Sequence, residues 1–236
     1  RRSAEKKLAT AECEVLSQGR ANVGNVDAAV NACTEARALY AELGDLRGEA
    51  RTWNVQGALH RRLRQWNEAV ASERRALDIV RVEAPTSESV GHMLNNLADL
   101  NRAAYFPELC FDSTSLEFFV QALLYSVQAH EHFRKRQSAS NGFTLSLYHL
   151  GRILGEFGDT ESASRLVMVA GARFARAESA EFVASCAISL QTLRKSDRDR
   201  TDTHRQLAEY LLKEREDWPV VEAALERARR IAAEAS

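Results

Sequence analysis

Histidine and cysteine are the residue types of this chain best suited to nucleophilic or metal chemistry, and their spacing favours neither role. His130 and His132 are two residues apart, so on a helix they point to different sides and do not form a ligand pair. The four cysteines are scattered and include no CxxC pair; they are Cys13, Cys33, Cys110 and Cys186. We therefore expect buried reduced thiols and no metal site.

Motifs of known catalytic chemistry are absent from the sequence. It contains no GxxxxGK[ST], GxGxxG, GxSxG or HExxH pattern. His60 is expected to be a packed interhelical residue, and His149 and Cys186 stand alone. A Cys–His nucleophile remains an alternative that no motif supports. The prediction is a protein that is not an enzyme and has no cofactor.

The composition favours long helices and a soluble fold. The 236 residues include only three Pro and eleven Gly, with 45% hydrophobic and 28% charged residues and a net charge of −1. No stretch approaches the ~20 apolar residues of a membrane span, and no signal peptide is visible, so we expect a cytoplasmic protein without a membrane partner. Because the chain begins with Arg1 and not Met, we expect it to be part of a longer protein.

Basic residues cluster in two parts of the chain, which raises the question of nucleic-acid binding. The clusters comprise Arg61, Arg62, Arg64, Arg74 and Arg75, and then residues 134–136. Acidic residues interrupt them and no aromatic residues are interleaved, so this pattern does not favour a nucleic-acid partner.

The elements that must position any functional residues follow a repeated pattern, clearest between Trp53 and Leu77. Trp53, Gly57 and His60 share one helical face, and a second helix follows a turn near Arg64. The second helix carries its own stripe, formed by Trp66, Ala69, Glu73, Ala76 and Leu77. A pair of this kind cannot bury both of its apolar faces alone, which predicts neighbouring copies.

Copies of this pair occur along the chain. Positions equivalent to Ala69 and Ala76 hold alanine in three further places, namely Ala29 with Ala36, Ala122 with Ala129, and Ala163 with Ala170. Gly57 corresponds to Ser17, Ala98 and Gly151. From about residue 9 to 177 this resembles the tetratricopeptide repeat family, whose pattern is W-x2-L-G-x2-Y followed by A-x3-F-x2-A. The chain departs from it at Gln56, His60 and Glu73, where the family has Leu, Tyr and Phe.

The resemblance implies an all-α fold, a right-handed α-α superhelix of about five helical hairpins in one domain, residues 1–236. We expect hairpins near residues 9–43, 46–83, 87–136, 142–177 and 180–216, followed by a capping helix at 218–235. Within this scheme residues 5–22 form the first helix, 23–25 a turn, and 195–201 a charged linker.

The segment from Tyr105 to Ser115 lengthens the spacing between repeats by about a dozen residues relative to the family pattern. It is too apolar for a free loop, so we expect it to fold back onto the superhelix. An alternative function follows from it: a structural oligomerisation scaffold that uses the apolar insert 105–119, with Phe106–Phe119 as the interface.

A superhelix of hairpins has a concave surface, lined mainly by the first helix of each pair. The helical faces opposite the packing residues predict a groove formed by Arg51, Asn54, Arg61, Arg62, Asn95, Asp99, Arg102, Tyr148 and Arg152. Arg and Asn donate hydrogen bonds to carboxylates and phosphates, so the expected ligand is a peptide segment of a protein partner or a small anionic effector. A merely solvated helix face remains the alternative for each residue.

Two segments, residues 36–50 and 150–174, also resemble the carboxy-terminal helical region of large bacterial ATP-dependent (STAND-type) transcriptional regulators. In that family the helical repeats sense an effector and release a nucleotide-binding switch. The resemblance implies that this chain is the non-catalytic sensing part of a larger signalling or transcription regulator.

Overall fold

The structure, a computed structural model, is all-helical in the residues that it describes, which confirms the predicted all-α class. Those residues are 2–5, 7, 23–105, 113–137, 140–195, 198–213 and 215–235, and they contain no strand. After the helical residues 2–5 and 7, the helices are α1 (Val23–Glu42), α2 (Leu46–Arg62), α3 (Trp66–Glu83), α4 (Glu88–Ala104), α5 (Ser113–Lys135), α6 (Asn141–Glu156), α7 (Thr160–Arg176), α8 (Ala180–Lys195), α9 (Arg198–Lys213) and α10 (Trp218–Glu234).

Most helix boundaries lie within one or two residues of their predicted positions, and the starts of α1, α5 and α9 differ more. Helix α5 begins at Ser113, where a start at about Leu116 was predicted. Helix α1 begins at Val23, where a turn over 23–25 was predicted; a glycine inside a helix costs only about 1 kcal/mol, so Gly24 does not prevent it. The predicted linker 195–201 is largely helical, because α9 already begins at Arg198. A helix can start with charged residues before its apolar stripe begins. The predicted first helix lies mostly outside the described residues.

The chain divides into two compact units, residues 1–100 and 101–236, and the division falls within α4. In the first unit α1 packs on α2, and α2 packs on α3. Small buried residues of α1, including Cys33 and Ala36, allow Leu59 of α2 to approach closely, and all three are 0% exposed. This packing fixes α2, the helix that carries four of the nine predicted groove residues.

In the second unit α5 packs on α6, α6 on α7 and α7 on α8, and α10 returns to contact α5, α6 and α7. Two ion pairs fasten α10 there: Arg227 to Glu131 at 3.0 Å and Arg229 to Asp159 at 3.3 Å. The helix predicted to cap the stack therefore packs along the side of these three helices.

The turns between paired helices repeat one backbone geometry. Gly44, Arg64, Gly158 and Glu178 each have a positive φ, at 64°, 57°, 94° and 56°. The N–H of each following residue donates to the carbonyl five residues earlier, at 2.9 to 3.0 Å. This is the hydrogen bond of a Schellman helix end, so all four turns reverse the chain in the same way.

Two glycines permit a close approach of helix backbones at equivalent crossings. A Cβ on Gly57 would lie 3.3 Å from the carbonyl oxygen of Ala69, and a Cβ on Gly151 would lie 3.1 Å from that of Ala163. These pairs occupy equivalent positions in the predicted repeat, so the sequence alignment of the two hairpins corresponds to a real structural equivalence.

Candidate functional site

The candidate site of the first unit is built around Glu73, a carboxylate in the helix–helix interface. Glu73 lies between Ala69 and Ala76 on the buried face of α3 and is only 2% exposed. Its neighbour across the crossing is Gly57, whose missing side chain leaves room: an added Cβ would lie 3.4 Å from Glu73 Oε2. A buried carboxylate is costly unless it is hydrogen-bonded.

Two asparagines supply those hydrogen bonds. Asn54 of α2 donates its side-chain amide to both carboxylate oxygens of Glu73, at 2.8 and 3.0 Å. Asn96 of α4 donates to Glu73 Oε1 at 2.7 Å. The carboxylate of one helix thus links the two helices on either side of it in the chain.

The environment of Glu73 also changes its acidity. Burial raises the pKa of the Glu73 carboxyl from 4.5 to about 7, and the hydrogen bonds from Asn96 and Asn54 oppose this rise only in part. Near neutral pH the side chain therefore exchanges between its protonated and ionised forms. The two asparagine amides are the groups whose hydrogen bonds to the carboxyl depend on which form is present.

Both asparagines also line a cavity of about 520 Å³ between α2, the end of α3 and the start of α4, which we call the α2–α4 cavity. Its other lining residues are Arg47, Ala50, Arg51, Val80, Glu83, Ala84, Ser87, Ser89, His92 and Met93. Arg47 pairs with Glu83 at 3.5 Å, and the cationic side chain of Arg51 lines the cavity as well. Its volume falls within the range of small-ligand sites.

The predicted groove residues of the first unit have different placements. Arg51 and Asn54 line the α2–α4 cavity. Arg61 is exposed and forms a 2.5 Å ion pair with Asp99, which is half-buried. Arg62 is half-buried as well. Asn95 is 1% exposed, so its side chain lies in the interior and not on an open surface.

The predicted residues of the second unit form a separate group. Arg102 donates to Glu156 at 2.9 Å, and both side chains are largely buried. The hydroxyl of Tyr148, itself 7% exposed, lies 3.2 Å from that of Ser189. Arg152 places its guanidinium 5.6 Å from the Tyr148 ring and lines a smaller cavity of about 220 Å³.

Sequence reasoning missed Asn96 and Arg47 as lining residues of the α2–α4 cavity, and Glu73 as the partner of its asparagines. Glu73 stood where the repeat has Phe and was assigned to packing. Of the Asn95–Asn96 pair, Asn95 was predicted for the groove, whereas Asn96 lines this cavity; neighbouring helical positions differ by about 100°, and the sequence does not show which of the two faces it. A carboxylate on a stripe of alanines was the available signal, since a charge there requires a partner.

The described part of the apolar insert belongs to the interior of the second unit. Phe119 is 3% exposed and stacks on Phe157 with ring centroids 5.6 Å apart. The ring centroid of Tyr105 lies 5.2 Å from that of Phe119. Phe118 packs partly buried on this core. These aromatic side chains therefore contribute to intrachain packing; residues 106–112 of the predicted interface lie outside the described residues.

The described residues include no cluster of three His, Cys, Asp or Glu side chains able to hold a metal ion. Cys33 and Cys186 are buried, as predicted, and burial raises the pKa of the Cys186 thiol to about 11. Cys13 and Cys110 lie outside the described residues. No described helix combines the length and apolar character that a bilayer crossing requires.

No protein-family model and no curated protein matches this sequence.

Proposed function

We propose that this protein is a non-catalytic binding module of the tetratricopeptide type, and that the α2–α4 cavity binds an acidic peptide segment of a partner. The observation that carries the proposal is the pair of asparagines held by Glu73 on the cavity wall.

The geometry supports a peptide because of how the amides are oriented. Asn54 and Asn96 both direct their Nδ2 atoms at Glu73. In a planar amide the carbonyl oxygen then points to the other side, where it can accept a hydrogen bond. A peptide backbone offers N–H donors at regular intervals, and Arg51 in the same cavity complements a carboxylate side chain.

The test uses two fluorescein-labelled octapeptide libraries with the same uncharged residues, one rich in Asp and Glu and the other in Lys and Arg. We expect the acidic library to contain the binders. Fluorescence anisotropy should then show weakening by about tenfold or more with Arg51→Glu and with Asn54→Ala, since each removes a hydrogen bond or reverses a charge.

A matched control is Arg75→Glu, which makes the same charge change at an exposed position of α3 outside the cavity lining. Binding should be unchanged in this variant. Equal selection of both libraries, or equal loss in Arg51→Glu and Arg75→Glu, would contradict the proposal.

The proposal extends to a larger protein. The resemblance of residues 36–50 and 150–174 to the sensing region of bacterial ATP-dependent regulators supports a role as the sensor of a cytoplasmic signalling or transcription regulator. The complete polypeptide should then contain a nucleotide-binding motif next to this region. A complete reading frame without one would count against this extension and leave the peptide test unaffected.

A further inference from the structure

The second unit contains a cavity that the proposed function does not use. It has a volume of about 440 Å³ and lies between the C-terminal ends of α5, α7 and α10 and the start of α6. Three arginines line it, Arg134 from α5 and Arg173 and Arg176 from α7. We call it the arginine cavity.

The three guanidinium groups are not neutralised by neighbours. Arg134, Arg173 and Arg176 are exposed, and none of them forms an ion pair with the residues that the structure describes. The nearby acid Glu131 is engaged by Arg227 at 3.0 Å. One carboxylate, Glu234, lines the cavity. Three positive charges against one negative charge leave the cavity positive.

The other walls of the cavity are apolar. They are formed by Phe143, Leu147, Val169 and Ile231. Arg173 places its guanidinium 4.9 Å from the centroid of the Phe143 ring, which holds this cation over the aromatic wall. An arginine that stacks on an aromatic ring keeps its N–H donors in the plane of the guanidinium, available to an anion.

His130 closes the inner end without adding charge. It is 5% exposed, its ring lies 4.9 Å from that of Phe143, and its Nδ1 lies 3.5 Å from Ser146 Oγ. The pKa of His130 is lowered to about 4, chiefly by burial and further by the charges of Arg134, Arg227 and Arg173, with Glu131 acting in the opposite direction. At neutral pH the imidazole is uncharged, so the positive charge lies at the arginines.

Helix ends provide a simpler explanation for each arginine separately. Arg134, Arg173 and Arg176 all lie in the last turn of their helices, where a cation is favoured by the helix dipole. That preference does not require arginines of two helices to converge on one concave surface with an apolar wall. A ligand with an anionic group and an apolar body would match both features of this surface.

We infer that the arginine cavity binds a small amphipathic organic anion, with its carboxylate or phosphate group between the arginines and its apolar body against Phe143 and its neighbours. The volume fits a ligand of this kind. Arginine binds carboxylate and phosphate groups through paired N–H donors, so the two head groups share one recognition chemistry.

Four probes separate the two requirements, each titrated calorimetrically into the protein: octanoate, octyl phosphate, 1-octanol and inorganic phosphate. We expect at least one of the two octyl anions to bind about tenfold or more tightly than 1-octanol and than inorganic phosphate, because only the octyl anions engage both walls. The tighter of the two identifies the head group. Equal binding of octanol, or no binding of either octyl anion, would overturn the inference.

Variants locate the binding. Arg134→Gln and Arg176→Gln should each weaken the octyl anion about tenfold, and Glu234→Gln should strengthen it a few-fold, since it removes the opposing charge. The control is Arg165→Gln. Arg165 lies on the same helix α7 but outside the cavity lining, and it pairs with Glu161 at 2.8 Å. This variant should leave the affinity unchanged.

A helix-dipole role would give a different result. The arginine variants would then lower the thermal midpoint and leave the affinity for octyl anions unchanged, which would refute the inference. A second readout is the imidazole NMR signal of His130, assigned by its loss in His130→Gln. It should shift when the octyl anion binds, and an unshifted signal in the presence of bound anion would assign the binding to another surface.

Discussion

Asn54 donates its side-chain amide to both carboxylate oxygens of Glu73, at 2.8 and 3.0 Å, across the α2–α3 crossing. In the repeat pattern the position of Glu73 belongs to an aromatic packing residue. The chain therefore has a hydrogen-bonded acid at a place where its fold requires only apolar volume, and the consequences of this exchange can be measured.

The Glu73 carboxyl should make the first unit less stable as pH rises. Between pH 4.5 and about 7 the folded protein keeps a proton at Glu73 that the unfolded chain has released, so the free energy of unfolding falls across this window. A pKa raised from 4.5 to about 7 corresponds to roughly 3 kcal/mol. Glu73→Gln should remove this slope and be the more stable protein at pH 8.

Urea unfolding at pH 5, 6, 7 and 8 measures this effect. In a Trp218→Phe background, the fluorescence of Trp53 and Trp66 reports on the first unit alone, because the chain has three tryptophans. Glu68→Gln, at an exposed position of the same helix, is the control for charge removal. Parallel pH profiles for wild type and Glu73→Gln would disprove the assignment.

Gly151→Ala should destabilise the second unit by about 1–3 kcal/mol. The added Cβ would lie 2.8 Å from Val167 Cγ2 and 3.1 Å from the carbonyl oxygen of Ala163, and a backbone atom cannot move aside cheaply. The gain in helix propensity, about 1 kcal/mol, offsets this only in part. Gly57→Ala, whose contacts begin at 3.3 Å, should be milder when thermal midpoints are compared. The reverse order would contradict the crossing geometry.

Arg64→Gly should stabilise the protein by about 0.5–1 kcal/mol. Arg64 has φ 57° at a turn position where Gly44 and Gly158 stand in equivalent turns. The left-handed conformation costs a residue with a Cβ roughly 1–2 kcal/mol, which glycine avoids. The greater conformational freedom of glycine in the unfolded chain offsets part of this stabilisation. The urea midpoint is the measurement, and Gly158→Ala, the opposite exchange at φ 94°, should shift it downward. An unchanged midpoint in both variants would show that the turn is not under this constraint.

Asp159 should contribute to stability in two separable ways. Its Oδ1 accepts from the backbone N–H of Ser162 at 3.1 Å, which caps α7, and its Oδ2 accepts from Arg229 of α10 at 3.3 Å. Asp159→Asn keeps the cap and loses the ion pair, whereas Asp159→Ala loses both and should cost about 1 kcal/mol more. Thermal unfolding with and without Arg229→Gln separates the cap from the ion pair. In the Arg229→Gln background, the proteins with Asp and with Asn at position 159 should have the same thermal midpoint. A persistent difference there would exclude the ion pair as its cause.

Sequence reasoning was most successful where the local signals agree. The sequence contains two pairs in which a helix-ending glycine precedes a capping aspartate, Gly44–Asp45 and Gly158–Asp159. Together with the alanine stripes, these pairs predicted the bounds of α2, α3, α6 and α7 to within a residue. Helix type and hairpin pairing depend on neighbouring residues, which a single sequence contains. The equivalence of Gly57 and Gly151 was recognisable for the same reason.

The candidate site was less predictable, because it depends on contacts between distant positions. Asn54 was predicted to face a ligand-binding groove and lines the α2–α4 cavity, but its partner Glu73 is 19 residues away and was assigned to packing. The choice between Asn95 and Asn96 required the rotation of α4 about its own axis, which periodicity determines only to about one position. The three arginines of the arginine cavity are spread over residues 134–176, and only packing brings them together.

The four turns with the Schellman hydrogen bond are defined by backbone N–H and carbonyl groups, and their left-handed position accepts Gly, Arg or Glu. The chain path at these turns is thus set by backbone atoms that every amino acid except proline supplies. Substitutions can replace the consensus residues of such a repeat while the path of the chain is kept. Relatives of this protein are therefore better sought by superposing hairpins than by aligning sequences.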